Sequence, residues 1–355
     1  MKKIVLTGGG TAGHVTPNMA LIPTLKARGY EIHYIGSYDG IEKKLIEEMG
    51  IPYHGISTGK LRRYFSLENF TDPFRVIKGL SQAKKLMKEL SPDVVFSKGG
   101  FVAVPVVLAA SSKKIPCIIH ESDMTPGLAN KICIPKATKV CCNFPEAAEN
   151  LPKDKAVVTG TPIREELFSG DSIKAMQFCG FTEVRPTLLV VGGSAGALRV
   201  NEAIWSCLNE LVKDFNIIHL CGKDKMNPDL NNVPNYVQFE YIKQELKDLL
   251  ALADVVVSRA GANAICELLA LQKPSVLIPL SLAASRGDQI LNAKSFKKSG
   301  YAKLLLEEDV TDKSLLAAVH EVYEHRDEYK TSMKQSDLSD SISIITHLID
   351  EACNN

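Results

Sequence analysis

The stretch TGGGTAGHVTP, Thr7 to Pro17, follows the short apolar run Ile4-Val5-Leu6 and decides how the first half of the chain is read. A strand that ends in glycines and runs into a helix start lets backbone N–H groups and the positive end of the helix dipole come close to an anion. Gly8, Gly10 and Gly13 satisfy Gly-x-Gly-x-x-Gly, so dinucleotide binding has to be weighed. That reading asks for an acidic residue at the end of the second strand, EIHYIG, which instead runs into Gly36-Ser37 with Asp39 a little beyond. The loop also carries His14, so it is either a phosphate cradle or a place where an imidazole does chemistry.

Two further glycine-rich strand ends occur, at Lys98-Gly99-Gly100 and at Gly192-Gly193-Ser194-Ala195-Gly196. Taken singly, each is equally a tight strand-to-helix turn. Together, with two in one half of the chain and one in the other, they suggest a cleft for diphosphate-bearing molecules between two domains. The runs KKIVLT, EIHYIG, DVVFS, PCIIH, TKVCC and AVVTG, then TLLVVGG, FNIIHL, YVQFE, DVVVS and PSVLIP, alternate with helical patterns. Near-continuous apolar strands of this kind predict an α/β fold, a doubly wound parallel sheet with helices on both faces. The echo of the opening at TLLVVGGSAGAL makes it two Rossmann-like domains in tandem. The turn-rich stretch from Gly160 to Pro186 puts the linker near Pro162. Leu338, Ile342, Ile345, Leu348 and Ile349 recur at helical spacing, so the terminal segment is expected to pack back on the first domain.

A length of 355 residues fits two domains. With 45% apolar and 23% charged residues and a net charge of +1, the chain has an ordinary globular composition, and nucleic acid is not an expected partner. The nine cysteines never form CxxC and mostly sit in apolar runs, so they read as reduced core residues. MKKIVLTGGG reads as a strand and not as a signal peptide, and the apolar run Phe101 to Ala110 is too short to span a bilayer.

GGGTAGHVTP, SKGGFVAVP (97–105), HESDMTPGLANK (120–131), GTPIR (160–164), VVGGSAGA (190–197), SRAGANAICE (258–267) and GDQILNA (287–293) follow one another in order. Through these motifs the chain resembles, over nearly its whole length, the MurG-type glycosyltransferases. The resemblance implies a GT-B fold and transfer of N-acetylglucosamine from UDP-GlcNAc to the lipid-linked muramyl pentapeptide, lipid I. Residues 1–162, with a helix in 338–355, would form the acceptor and membrane-facing domain, and 163–337 the donor domain.

His14 is then the general base for the acceptor's C4 hydroxyl, and attack from the opposite face gives a β-linkage by inversion without a covalent nucleophile. N–H groups around Ser194, between Gly193 and Gly196, would stabilise the leaving UDP. The resemblance puts Glu267 on the ribose hydroxyls, Arg164 and Ile242 near the uracil, and Ala262 beside the sugar and phosphates. It also puts Thr11, Gly13 and Asp123 among the donor contacts, and Asp288 and Gln289 on the sugar hydroxyls. Gly10, Phe101 and Glu121 are further candidates. Relatives commonly carry Gln-Gln where this chain has Asp288-Gln289, a tyrosine at Phe101, and an amide at Asp123.

No cofactor or metal is implied: the donor half has no Asp-x-Asp after a strand, and Lys223-Asp224-Lys225 offers one carboxylate between two lysines. Residues 60–78 interleave Lys60, Arg62, Arg63, Arg75 and Lys78 with Tyr64, Phe65, Phe70 and Phe74. That mixture fits a peripheral face on an anionic membrane at its cytoplasmic side, where other cell-wall synthesis proteins are possible partners, and equally fits an amphipathic helix packed on the sheet. Two other readings share the architecture. A UDP-GlcNAc 2-epimerase needs acid and base groups around the sugar C2, and a nucleotide-sugar sensor would bind UDP-sugar without releasing UDP.

Overall fold

The computed structural model describes residues 2–59, 68–193, 196–285 and 287–354, with the backbone alone described at 68–73, 337 and 339. The chain forms two compact units, Met1–Arg164 with Asp340–Asn355, and Glu165–Ser339. The segment expected to act as a linker holds a 3-10 turn, Glu165–Ser169, and a helix, Ser172–Cys179, with no strand.

The first unit is built on β1 (Lys3–Thr7), β2 (Glu31–Ser37), β3 (Tyr53–Ile56), β4 (Val94–Ser97), β5 (Cys117–Glu121), β6 (Lys139–Cys142) and β7 (Ala156–Val158). All pair in parallel, in the order β3-β2-β1-β4-β5-β6-β7. Every residue of β4 and β5 is buried, as strands with helices on both faces require. The order reverses between β1 and β4, so the loops leaving these two neighbours diverge and open a crevice at the carboxyl ends of the strands.

The second unit repeats the plan with β8 (Thr187–Val191), β9 (Asn216–Leu220), β10 (Tyr236–Phe239), β11 (Val255–Ser258), β12 (Ser275–Leu277) and β13 (Ala302–Leu304). Its order, β10-β9-β8-β11-β12-β13, reverses between β8 and β11. The edge strands β3 and β13 are absent from the runs read in the sequence.

The helix Ser341–Ala352 belongs to the first unit. Ile345 and Ile349, wholly buried, join Ile4, Leu21, Ile22 and Phe96 in its core, a burial of about 1.5 to 3 kcal/mol each. Polar ties fix its angle: Ser341 Oγ donates to the Thr161 carbonyl at 2.7 Å, and Asp350 accepts from Tyr30 Oη at 2.6 Å and pairs with Arg28. Seven of the nine cysteines are buried and all are free thiols. Burial pushes Cys117, Cys133 and Cys141 up to about 12, so they are inert at neutral pH. Among the described residues no helix is long and apolar enough to cross a membrane.

Candidate active site

In the first unit β1 leads through the glycines into one 3-10 turn, Ala12–His14, and the helix Thr16–Ala27 starts after it. His14 therefore closes a turn ahead of the helix instead of opening the helix itself. The loop after β4 lies directly against this one. Gly100 has φ +83°, and a Cβ there would sit 2.3 Å from the Gly9 carbonyl oxygen, so only glycine allows the approach.

His14 Nδ1 lies 3.1 Å from the Gly9 carbonyl oxygen and 3.1 Å from Thr11 Oγ1. A carbonyl can only accept, so Nδ1 carries the proton and the neutral ring presents a bare Nε2. Burial lowers the pKa from its ordinary 6.5, and the Lys98 ammonium lowers it further; the Gly9 carbonyl and the carboxylates of Asp123 and Glu42 oppose them without winning. At neutral pH the ring is therefore uncharged, which is the state a general base needs.

That lysine is 1% exposed. Its Nζ donates to His120 Nδ1 at 2.6 Å and to Ser122 Oγ. His120, wholly buried, donates from Nε2 to the Gly160 carbonyl at 2.8 Å, and burial together with Lys98 holds its pKa well below the usual value. His120 is thus a neutral prop for the ammonium and offers no second base.

Glu121, a candidate for the acceptor, is turned inward. Its Oε1 accepts from the Asp123 N–H at 3.0 Å, and its Oε2 accepts from the Gly127 N–H at 3.0 Å and from Asn130 Nδ2 at 2.9 Å. Through these bonds Glu121 braces the loop that carries Asp123. The Gly10 N–H donates to Glu42 Oε2 at 3.2 Å. Glu42, whose Oε1 accepts from the Ser37 N–H at 3.0 Å, thus stands at the end of β2. Phe101 and Gly13 are half-buried near these loops, and Thr11 is exposed.

In the second unit the turn after β8 closes with the Gly196 N–H donating to the Gly193 carbonyl at 2.9 Å. Gly196 has φ +69°, and a Cβ there would lie 2.1 Å from the Cys221 carbonyl oxygen. Lys225 Nζ donates to the Gly196 carbonyl at 3.3 Å. Ser194 lies outside the described residues. The helix Leu198–Ser206 that follows, and the helix Ala262–Ala270 after β11, both start without a side-chain cap, at Ala197 and Gly261. Two sets of helix-start N–H groups thus stand at neighbouring strand ends, where an anion can take the place of a cap.

Ala262 opens the second of these helices, and Glu267 is half-buried further along it. Ile242 is half-buried in the turn before the helix Leu246–Leu252, and Arg164 is half-buried at the end of the first unit. Asp288 opens the helix Asp288–Lys298. Gln289 Oε1 accepts from the Leu280 N–H at 3.1 Å, which leaves its NH2 group as the atom it can turn to a sugar hydroxyl.

Beneath this region lies an ion pair that sequence reasoning missed. Arg259 Nη2 lies 2.5 Å from Glu307 Oε1, with side chains 10% and 5% exposed. Its Nη1 donates to the carbonyls of Ile278 and Pro279 at 3.1 and 3.3 Å, and Glu307 Oε2 accepts from the Ser281 N–H at 3.2 Å. The pair thereby ties the end of β11 to the loop that runs from β12 to Gln289. Among the described residues no cluster of His, Cys, Asp and Glu could hold a metal ion.

Residues 4–142 match the glycosyltransferase family 28 N-terminal domain, and residues 187–348 match the family 28 C-terminal domain. A Lachnoclostridium phytofermentans protein named UDP-N-acetylglucosamine–N-acetylmuramyl-(pentapeptide) pyrophosphoryl-undecaprenol N-acetylglucosamine transferase is 65% identical over 351 residues, 99% of each chain. Its namesake from Lachnospira eligens is 64% identical over 349 residues, 98% of this chain and 99% of that one. The crystal structure of Acinetobacter baumannii MurG matches with a TM-score of 0.78 at 25% identity, covering 99% of this chain and all (100%) of that one. A Neisseria meningitidis UDP-GlcNAc 2-epimerase shares the fold, with a TM-score of 0.71 at 15% identity over 99% of this chain and 100% of that one. Two Rossmann-like units of the GT-B type, each matched by its own domain model, and relatives alike over their full length together make this chain a member of glycosyltransferase family 28.

Proposed function

We propose that the chain moves N-acetylglucosamine from UDP-GlcNAc to the C4 hydroxyl of the MurNAc of undecaprenyl-pyrophosphoryl-MurNAc-pentapeptide, giving β-1,4-linked lipid II for peptidoglycan synthesis. It is a hexosyltransferase. The observation that carries the mechanism is the 3.1 Å contact of His14 Nδ1 with the Gly9 carbonyl, which assigns the proton to Nδ1 and leaves Nε2 able to take one. The acceptor hydroxyl gives its proton to Nε2 as its oxygen bonds to the anomeric carbon. The bond from that carbon to the UDP oxygen breaks, and its electron pair leaves on the diphosphate. The charge that develops there is met by the Gly193–Gly196 turn and by the helix starts at Leu198 and Ala262. Backbone donors do this without a metal ion. Ile242, Glu267 and Gln289 of the second unit, and Arg164, Thr11, Gly13 and Asp123 of the first, are the donor contacts in this reading.

The test is UDP release from UDP-GlcNAc with a lipid I analogue, with chelator present throughout. Release that requires the acceptor and survives chelation is expected. Formation of the C2 epimer without acceptor, or binding without any release, overturns the reading. Glu267→Ala is expected to raise the KM for UDP-GlcNAc by about tenfold to a hundredfold, the loss of a charged hydrogen bond, with kcat changed little. An unchanged KM removes Glu267 from the ribose.

The enzyme works at the cytoplasmic face of the membrane, held peripherally near its lipid-linked acceptor and other cell-wall synthesis proteins. Support comes from the helix Glu68–Leu90, where Phe74 and Ile77, 76% and 65% exposed, stand among the exposed Arg75 and Lys78. The rest of the basic and aromatic stretch, Lys60, Arg62, Arg63, Tyr64 and Phe65, lies outside the described residues, as does the side chain of Phe70. Phe74→Ser with Ile77→Ser is expected to weaken co-sedimentation with anionic liposomes about tenfold or more, while activity on a short-chain soluble acceptor persists. Unchanged co-sedimentation assigns the two side chains no membrane role.

A further inference from the structure

The peptide group between Gly9 and Gly10 is held at both ends. Its N–H, on Gly10, donates to Glu42 Oε2 at 3.2 Å, and its carbonyl, on Gly9, accepts from His14 Nδ1 at 3.1 Å. The N–H and C=O of a trans peptide point to opposite sides, so the carboxylate and the imidazole face each other across a single planar group. No bond joins Glu42 to His14 directly.

Glu42 is fully buried, at 0% exposure. Its Oε1 accepts from the Ser37 N–H at 3.0 Å and from Ser37 Oγ at 2.5 Å. With Gly10, two backbone N–H donors and the Ser37 hydroxyl meet the two oxygens. Its place in the first turn of the helix Ile41–Glu48 favours a negative charge there. Room for it comes from missing side chains: a Cβ on Gly9 or Gly40 would lie 2.5 or 2.2 Å from the carboxylate. On the far side, Tyr34 Oη donates to the Gly8 carbonyl at 2.7 Å and steadies the loop.

We infer that Glu42 is a positioning residue for His14: through the Gly9–Gly10 peptide its carboxylate fixes the imidazole in the tautomer that leaves Nε2 free. A negative charge at the N–H end polarises the amide and enriches the carbonyl oxygen, which then holds the Nδ1 proton more firmly. A carboxylate does this directly to the histidine of a Ser-His-Asp triad; here one peptide group stands between them. The charged groups around the ring are Lys98, which lowers its pKa, and Asp123 and Glu42, which raise it. The catalytic consequence rests on His14 being the base; the tautomer does not.

The variant is Glu42→Gln, the same size without the charge, whose NH2 group would be set against N–H donors. In the wild type, 15N NMR of the histidine rings near neutral pH, assigned with His14→Ala, is expected to give His14 a protonated Nδ1 and a bare Nε2. In Glu42→Gln the share of that tautomer falls, kcat falls about tenfold to a hundredfold, and the KM for UDP-GlcNAc holds. The acid limb of the kcat profile moves to lower pH, because a charge that raised the imidazole pKa is gone. A purely structural role would lower the melting temperature and leave the tautomer in place. An unchanged tautomer in folded Glu42→Gln overturns the inference. A changed tautomer with unchanged kcat upholds it and instead overturns His14 as the base. Should Glu42→Gln not fold, Glu42→Asp keeps the charge but withdraws it from Gly10, and an unchanged tautomer there overturns the inference equally.

Discussion

His14→Ala is expected to lower kcat by about a hundredfold to ten-thousandfold, the usual worth of a positioned general base, with the KM for UDP-GlcNAc within about twofold of wild type. The split matters: His14 lies in the first unit, whereas the groups proposed for most of the donor lie in the second. The pH dependence follows from the same group. A base acts only when unprotonated, so the rate falls as pH drops through the imidazole pKa. Burial and Lys98 hold that pKa below the ordinary 6.5, so the acid limb lies on the low side of that value. Lys98→Met removes a positive charge and is expected to move the limb upward. A wild-type kcat in His14→Ala would leave the loop as a phosphate-facing turn and nothing more.

Glu307→Gln carries the largest expected effect on stability. It leaves the Arg259 guanidinium buried without its counter-charge, a change that costs about 3 to 5 kcal/mol. For a unit of this size, that is a fall of roughly 6 to 20 °C in the melting temperature of the second unit. Burial alone would raise the pKa of Glu307, but the hydrogen bond and charge of Arg259 with the Ser281 N–H outweigh it and hold the carboxyl below its usual range. A pKa depressed by folding adds stability above the unfolded value of about 4.3, and that stability is lost as pH falls through the folded value. The variant is therefore expected to lack this part of the acid sensitivity below about pH 4.3. A scanning calorimetry trace in which the second unit melts as in wild type would contradict the role given to the pair.

The architecture is readable in the sequence where strands are buried on both faces. VVFS, CIIHE, TLLVV and VVVS have no polar alternation because helices cover both sides of the sheet. The edge strands β3, YHGI, and β13, AKL, have only one neighbour, and short polar segments like these carry no such signal. The glycine loops are legible because only glycine tolerates their close approaches and positive φ angles.

What stayed hidden depends on partners far along the chain. Ile41-Glu42 reads as an apolar residue facing inward beside a charge facing outward, yet Ile41 is 50% exposed and Glu42 is wholly buried. The only local hint is the pair of glycines, Gly36 and Gly40, that clear space around the carboxylate. Arg259 finds its counter-charge 48 residues later, and no pattern in SRAG announces it. Glu121 shows the converse: a motif glutamate that looks available to a ligand has both oxygens hydrogen-bonded within its own motif.

The claim that one base drives a single displacement is tested most directly by the stereochemistry of the product. The disaccharide formed from α-linked UDP-GlcNAc and a lipid I analogue would be isolated and its new anomeric centre read by proton NMR, with UDP counted in the same reaction. A β-linked product, formed with one UDP per linkage, is what the account predicts. An α-linked product would require two displacements or front-side attack and would contradict it.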